Sequence, residues 1–504
     1  MTDRIRFFLF DLIFKPGDWF LHFLGKHYLL FRWFLSWTPA QILNYSSKLR
    51  AWRAYQHARL RVPAYGKFVD DGVGSNPEQF AQILETDKEN YIKRYSTEDR
   101  CVNGVIPPFD TVIDESSGSS GTPYNWVRSS EERQVSHLFV SHFARYCFDL
   151  ERLITINGFS MGSWATGLNM GLSMQKNGIV KNIGPDMDKI LSTIKFFGPS
   201  YNYLITGYPP FLKHLIDEAD ARKFPFADYN LYGLVGGEGM SEGLRDYLLT
   251  RFKKVYSGYG ATDLEIGIAG ESPIAVAIRR NARDNAKLRE VLFGEDSRLP
   301  MVFHYNPMMH YIEITAQKEM VFTITRLNIL SPRIRYNIHD EGGIMDFGIM
   351  VEKCKSAGLD LKEMFGAEFD EMPKLPFMWI YGRKDSTISV MGANIYPEDI
   401  EQCLYAEPEL AKITRSFCIS LHEGENAEVR PAFSFEVVHT EITPALNARF
   451  QEKILERLIA LNQDFKEAWH ERSSTLVPVV ELWGENEGPF KQNSGRIKQI
   501  RIMK

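Results

Sequence analysis

Between Asp114 and Arg128 the chain reads DESSGSSGTPYNWVR, which sets Ser116, Ser117, Ser119, Ser120 and Thr122 around Gly118 and Gly121. Glycine admits positive φ and close backbone approach, and successive N–H groups in such a turn form a concavity that suits an anion. The hydroxyls add donors, so a phosphate chain is the natural guest. The stretch lacks the Gly-Lys-Ser/Thr ending of a P-loop, and by composition alone it reads as a flexible loop. Chemistry-bearing residues recur downstream in Gly236-Gly237-Glu238, in SGYGATD (Ser257 to Asp263), in RYNIHD (Arg335 to Asp340), in YGRKD (Tyr381 to Asp385) and in NSGRIK near the C-terminus.

The serine stretch needs a strand before it and a helix after it. Thr111 to Ile113 supplies the strand, and Ser129 with Glu132 supplies a capping-box start for a helix through Val135, Leu138, Phe139, Phe143 and Tyr146. Upstream, Gln41 to Leu60 reads as helix, and Asn76-Pro77 is an N-cap followed by proline at the first helical position. Downstream, strands at 153–156, 203–206, 231–235 and 254–256 alternate with helices at 186–197, 210–219 and 241–252. Alternation of this kind predicts an α/β fold, a helix-covered and mostly parallel sheet with ligands at the carboxyl ends of its strands. Residues 274–325 read as richer in strand, a small barrel-like or sheet region; 397–404, 429–438 and 443–461 read as helix, strand and helix of a small α+β tail.

The expected organisation is an aromatic-rich N-terminal segment with helices over 1–100, a core domain over 101–382 and a small mobile domain over 383–504. At 504 residues, 44% apolar and 24% charged, the chain is long enough for more than one core. A net charge of -5 without a basic stripe argues against nucleic acid as the main partner. Five scattered cysteines with no C-x-x-C pair fit reduced thiols of a cytoplasmic protein better than a disulfide framework or zinc site. His137, His142, His304, His310 and His339 follow no metal-ligand spacing; His339 alone draws interest, as the neighbour of Asp340. The first forty residues are crowded with Phe and Trp but broken by Arg, Lys and Asp, so no run reaches the roughly 18 to 20 apolar residues of a spanning helix. Two readings stay open for residues 1–40: peripheral contact with a membrane surface, or packing on the protein or a second subunit.

In order and spacing, SSGSSGTPY, GGE, YGATD, RYNIHD, GRKDSTISVMGANIYPEDIE and NSGRIK resemble the adenylate-forming acyl-ligase superfamily, and within it the phenylacetate-CoA ligase and capsule-biosynthesis adenylyltransferase-like branch. The resemblance covers roughly residues 100–504. It implies a large N-terminal domain, a mobile C-terminal domain and an ATP- and Mg²⁺-dependent acid–thiol ligase. A carboxylate attacks the α-phosphate of ATP to give an acyl-adenylate, and a thiol, usually coenzyme A, displaces AMP. Carried over, Ser116 to Thr122 hold the β- and γ-phosphates; Gly236, Gly237 and Glu238 line the adenine; Tyr259, followed by Gly260, packs on the purine; Asp340 binds both ribose hydroxyls; Arg383 reaches ribose or phosphate; and Asp385 is the hinge.

Two departures from the family pattern stand out. Asp263 occupies the position of a metal-binding glutamate, one methylene shorter, with Glu265 or Glu271 as substitutes. Arg496 follows Gly495 where the family has its catalytic lysine, leaving Arg496, Lys498 or Lys491 to bridge the substrate carboxylate and the α-phosphate. Phe159, Met161, Trp164, Tyr208 and Leu234 suggest an apolar acyl pocket for an aryl or medium-chain carboxylic acid, or else are core. The acceptor is open among coenzyme A, an acyl-carrier protein and an amine. The two departures also leave room for a catalytically silent nucleotide- or acyl-binding protein.

Overall fold

The computed structural model describes residues 3–69, 74, 76–116, 124–162, 165–296, 298–383, 388–390, 393–423, 429–493 and 501–503. The chain forms two compact units, one of Met1–Thr155, Met161–Asn182 and Tyr256–Gly382, the other of Ile156–Ser160, Ile183–Val255 and Arg383–Lys504.

In the first unit the strands run, in spatial order, His310–Ile314, Glu319–Ile324, Tyr336–Met345, Phe377–Arg383, Met301–Tyr305, Glu265–Gly270 and Lys254–Ala261. The strands expected to form a small barrel-like region of their own are members of this sheet. The segment 273–293, expected to be rich in strand, is instead two helices, Pro273–Asp284 and Ala286–Phe293. Ser272 caps the first of these by accepting from the Ala275 N–H at 3.3 Å, and proline takes the first helical position, where its missing N–H costs nothing. The core beneath the sheet collects Tyr55, Tyr65, Phe80, Trp126, Phe322 and Tyr336, all nearly inaccessible to water.

The hairpin Thr111–Glu115 with Asn125–Ser129 pairs antiparallel, Glu115 opposite Asn125, and its base is closed by Ser116 and Tyr124. The helix Ser130–Phe148 follows directly. Half of the expected capping box forms: the Ser129 hydroxyl accepts from the Glu132 N–H at 3.1 Å. The Glu132 carboxylate turns away to accept from the Leu330 N–H at 2.6 Å.

In the second unit Asn202–Gly207 and Asn230–Gly236 pair in parallel, as the alternation of strands and helices predicts. A three-stranded sheet (Thr414–Glu423, Val429–Val437, Val479–Trp483) packs with the helices Pro397–Tyr405 and Pro444–Leu461 around Phe433, Phe435 and Phe450. Buried Lys213 donates to the carbonyl of Ala411 at 2.7 Å and pairs with Asp217 at 2.8 Å, while Glu401 accepts from the Ser241 N–H at 3.0 Å. These buried polar bonds tie 209–248 to 397–414 inside one unit.

Candidate active site

The turn Ala261–Leu264 joins two antiparallel strands of the first unit. Gly260 has to be glycine, because a Cβ there would stand 2.9 Å from the Gly267 backbone nitrogen. Arginines hold the carbonyls of the turn: Arg128 donates to Thr262 O at 2.5 Å and Leu264 O at 2.6 Å, and Arg333 donates to Asp263 O at 2.7 Å. Asp114 anchors Arg128 at 3.1 Å, and Glu132 lies 3.7 Å from it. Arg333 stacks on the Trp126 ring at 4.8 Å. Burial lowers its guanidinium to about 10, and it stays charged at neutral pH.

The turn presents the Asp263 carboxylate, which accepts from the Tyr336 phenol at 2.9 Å on Oδ2. Burial first, and the adjacent carboxylate second, hold that phenol well above its ordinary pKa, so Tyr336 is the donor. Tyr259 rests against Phe322 and Phe303, with ring centroids 6.4 and 6.0 Å away, and its hydroxyl donates to Asp340 Oδ2 at 2.7 Å.

Asp340 arrives there through a break in register. Val321 pairs with Asn337 and Glu319 with Glu341, so the strand Tyr336–Met345 carries two extra residues across that step. His339 takes φ +61°, and its N–H is held by the Asn337 side chain at 2.8 Å. A bulge of this kind re-aims the side chain that follows. Tyr259, Asp263 and Asp340, singled out from the sequence, thus share one corner of the first unit.

Glu265 and Glu271, the possible stand-ins for Asp263, are both buried and engaged. Glu265 accepts from Ser136 at 2.6 Å, contacts His310 Nε2 at 2.5 Å and pairs with Arg326. Burial pushes its carboxyl up, and Arg326 and His310 more than offset that, leaving it well below the carboxylate range. Glu271 accepts from the Ser257 N–H at 2.7 Å. The sequence reading missed Arg128, Arg333 and Glu265 as organisers of the turn. Arg128 closes the very stretch that drew notice, yet its partners lie 134 and 136 residues away.

Ser116 is committed to loop closure: its N–H donates to Tyr124 O at 3.0 Å, and its hydroxyl accepts from the Tyr124 N–H at 2.9 Å. Ser117, Gly118, Ser119, Ser120, Gly121, Thr122, Trp164, Asp385, Arg496 and Lys498 lie outside the described residues, as does the side chain of Arg383, the last residue of Phe377–Arg383. Lys491 is exposed in the short helix Gly488–Asn493.

In the second unit Gly236 ends its strand, and Gly237 takes φ +83° where a Cβ would meet the Tyr208 ring at 2.6 Å. Tyr208 meets the buried ring of Phe159 edge-on at 5.2 Å, and Leu234 is buried. Burial, then the charge of Glu238, raise the Tyr208 phenol well above its usual value, keeping it neutral.

No protein-family model and no curated protein matches the chain. Solved structures do match. A 2-hydroxyisobutyryl-CoA ligase in the postadenylation state with 2-HIB-AMP aligns over 92% of this chain and 90% of that one, at 14% identity and a TM-score of 0.66. The same ligase with R3-HIB-AMP gives 0.64 at 14% identity over the same shares. With 2-HIB-AMP and CoA in the thioesterification state it gives 0.52 at 15% identity, over 92% and 91%. The chain therefore has the fold of an AMP-forming acyl-CoA ligase, an α/β architecture with a large multi-stranded sheet and a C-terminal domain.

Proposed function

We propose that the protein activates a carboxylic acid with ATP and transfers the acyl group to coenzyme A. A carboxylate oxygen attacks the α-phosphorus, the bond to the β-phosphate oxygen breaks, and pyrophosphate leaves. The coenzyme A thiolate then attacks the acyl carbonyl, and AMP leaves with the electron pair of the broken acyl–phosphate bond.

The observation that carries this reading is the hydrogen bond joining Tyr259 to Asp340, residues of two separate motifs 81 positions apart. In the proposal the Tyr259 ring packs on the purine and Asp340 accepts from the ribose hydroxyls, a task suited to the two oxygens of one carboxylate. The serine loop, including Ser119, cradles the outer phosphates, and Gly236 to Glu238 supply backbone groups to the adenine. Arg383 reaches the nucleotide, Asp385 is the hinge, and Arg496 or Lys498 provides the cation beside the α-phosphate.

Asp263 suits Mg²⁺: its Oδ2 is fixed by Tyr336, and no described residue donates to its Oδ1. The described residues contain no cluster of three metal-ligating side chains, and Mg²⁺ bound mainly by phosphate oxygens needs only one or two carboxylates. When bound, the ion would neutralise charge on the departing pyrophosphate. Phe159, Tyr208 and Leu234 favour an aryl or medium-chain acid, as in the phenylacetate-CoA ligase branch. Coenzyme A is preferred as acceptor because the ligase of the same fold was solved with CoA.

The test is exchange of labelled pyrophosphate into ATP, with Mg²⁺ and a panel of aryl and fatty acids, followed by mass detection of the thioester on adding coenzyme A. Arg496→Ala should depress exchange yet leave thioester formation from a supplied acyl-adenylate largely intact. Failure of every acid in the panel to support exchange, while ATP still binds, would favour the silent nucleotide-binding reading.

A further inference from the structure

The helix Asp3–Lys26 is built inside out. Its acids face the protein: Asp11 pairs with Arg53 at 2.5 Å, and Asp18 pairs with Arg50 and Arg53 at 2.5 and 2.6 Å. Phe14 lies beneath those two guanidinium groups, 5.6 and 5.2 Å from ring centre to carbon. Phe10 meets Trp52 edge-on at 4.8 Å. The helix is thus fixed to Ala40–Arg61 by its charged and aromatic inner side, and its outward orientation is set by part-buried ion pairs.

The outer side is largely apolar, with lysines at its rim. Phe8, Ile13 and Trp19 on this helix, with Leu29, Trp33 and Trp37 on the next helix Tyr28–Trp37, form an exposed apolar face; Ile13, Trp19 and Trp37 are 74%, 71% and 75% exposed. Soluble proteins rarely leave contiguous apolar patches beyond a few hundred Å² uncovered. Among the described side chains of residues 5–45, the exposed charges are Lys15 and Lys26, both basic, with the Lys15 ammonium 3.9 Å from Asp11. No described helix is long and apolar enough to cross a membrane.

We propose that the outer face of the helix pair Asp3–Lys26 and Tyr28–Trp37 docks this protein in the plane of an anionic lipid surface. An apolar face rich in Trp and Phe, with its carboxylates turned inward and lysines at its rim, matches the boundary between acyl chains and anionic headgroups. Its charge pattern disfavours a second copy of the same face, since a two-fold contact would bring the lysines together while the exposed acid beside the face, Glu371, is already paired with Arg32 at 3.4 Å. Docking would hold an enzyme of acyl groups where apolar acids concentrate, but it rests on surface chemistry alone and not on the proposed reaction.

The test is flotation of the full chain with vesicles of phosphatidylcholine alone and of phosphatidylcholine mixed equally with phosphatidylglycerol. The chain should float with both, more strongly with the anionic vesicles, and that excess should fall with added salt. The triple variant Trp19→Ser, Trp33→Ser, Trp37→Ser changes only exposed rings and should keep the wild-type circular dichroism while partitioning about tenfold less. Lys15→Glu with Lys26→Glu should abolish the preference for phosphatidylglycerol. Failure of the wild-type chain to float with either vesicle would overturn the proposal. So would flotation that the tryptophan variant leaves unchanged, or a dimer in sedimentation that this variant dissociates while vesicles go unbound.

Discussion

The phenol of Tyr259 donates to Asp340 Oδ2 at 2.7 Å, joining the strand Lys254–Ala261 to the bulged strand Tyr336–Met345. The bond fixes one oxygen of the carboxylate proposed to bind ribose. A hydrogen bond to a charged group contributes about 1.5–3 kcal/mol, so Tyr259→Phe should raise the ATP concentration needed for half-maximal pyrophosphate exchange roughly tenfold. Asp340→Ala should raise it further, toward a hundredfold, because both ribose contacts go with the carboxylate. Equal ATP dependence in all three proteins would remove Asp340 from the nucleotide site.

Tyr336 stands behind Asp263 and orients, from outside, the carboxylate proposed to bind Mg²⁺. Such outer partners typically govern affinity by roughly ten- to a hundredfold. Tyr336→Phe keeps the buried ring and loses only the donor, so the Mg²⁺ titration of exchange should shift about tenfold to higher concentration while saturating activity changes less. Asp263→Asn should cost activity at every Mg²⁺ concentration. A Mg²⁺ titration unmoved by Tyr336→Phe would show that the pair serves packing alone.

Arg128 grips two carbonyls of the turn and balances two buried acids, Asp114 and Glu132. Arg128→Met would strand the Asp114 carboxylate and leave Glu132 to the Leu330 N–H, and breaking a buried pair in this way costs about 3–5 kcal/mol. Lysine is a poor replacement: its single ammonium cannot fork to Thr262 O and Leu264 O together. Urea unfolding should therefore place Arg128→Lys nearer to Arg128→Met than to wild type. A wild-type midpoint for the lysine variant would mean that charge, not the fork, is what the turn requires.

Motif order was legible in the sequence because each motif is local, yet the geometry that unites them was not. The approach of Asp340 to Tyr259 depends on a two-residue excess and a left-handed His339, neither of which leaves a mark beyond the letters RYNIHD. Glu265 reads as a spare metal ligand beside Asp263 until Arg326, 61 residues on, claims its carboxylate. The helices of 273–293 were announced by Ser272-Pro273, a cap followed by proline, and by their alanines, signals that a reading of 274–325 as a whole as rich in strand passes over. At the N-terminus the 3.6-residue period was blurred because Phe10 and Phe14 face inward while Phe8, Ile13 and Trp19 face out.

His304 gives the fold an acid sensitivity that can be dated to a pH window. Its ring lies 4.0 Å from Phe377 by centroid, its Nδ1 stands 2.9 Å from the Leu375 carbonyl, and complete burial lowers its pKa to about 4. An unfolded histidine titrates near about 6.5. Between these values the unfolded chain takes up a proton that the native chain refuses, so stability present above about 6.5 is lost as pH falls toward about 4, to a limit of about 3 kcal/mol. His137, His142 and His214, also lowered first by burial, act in the same direction. Unfolding free energies from urea titrations across this window should fall steadily on acidification. His304→Gln should begin lower at neutral pH, for want of the packed ring, and then follow a shallower slope. If the two profiles run parallel, His304 is already protonated in the native protein, and its short contact with the Leu375 carbonyl belongs to an imidazolium.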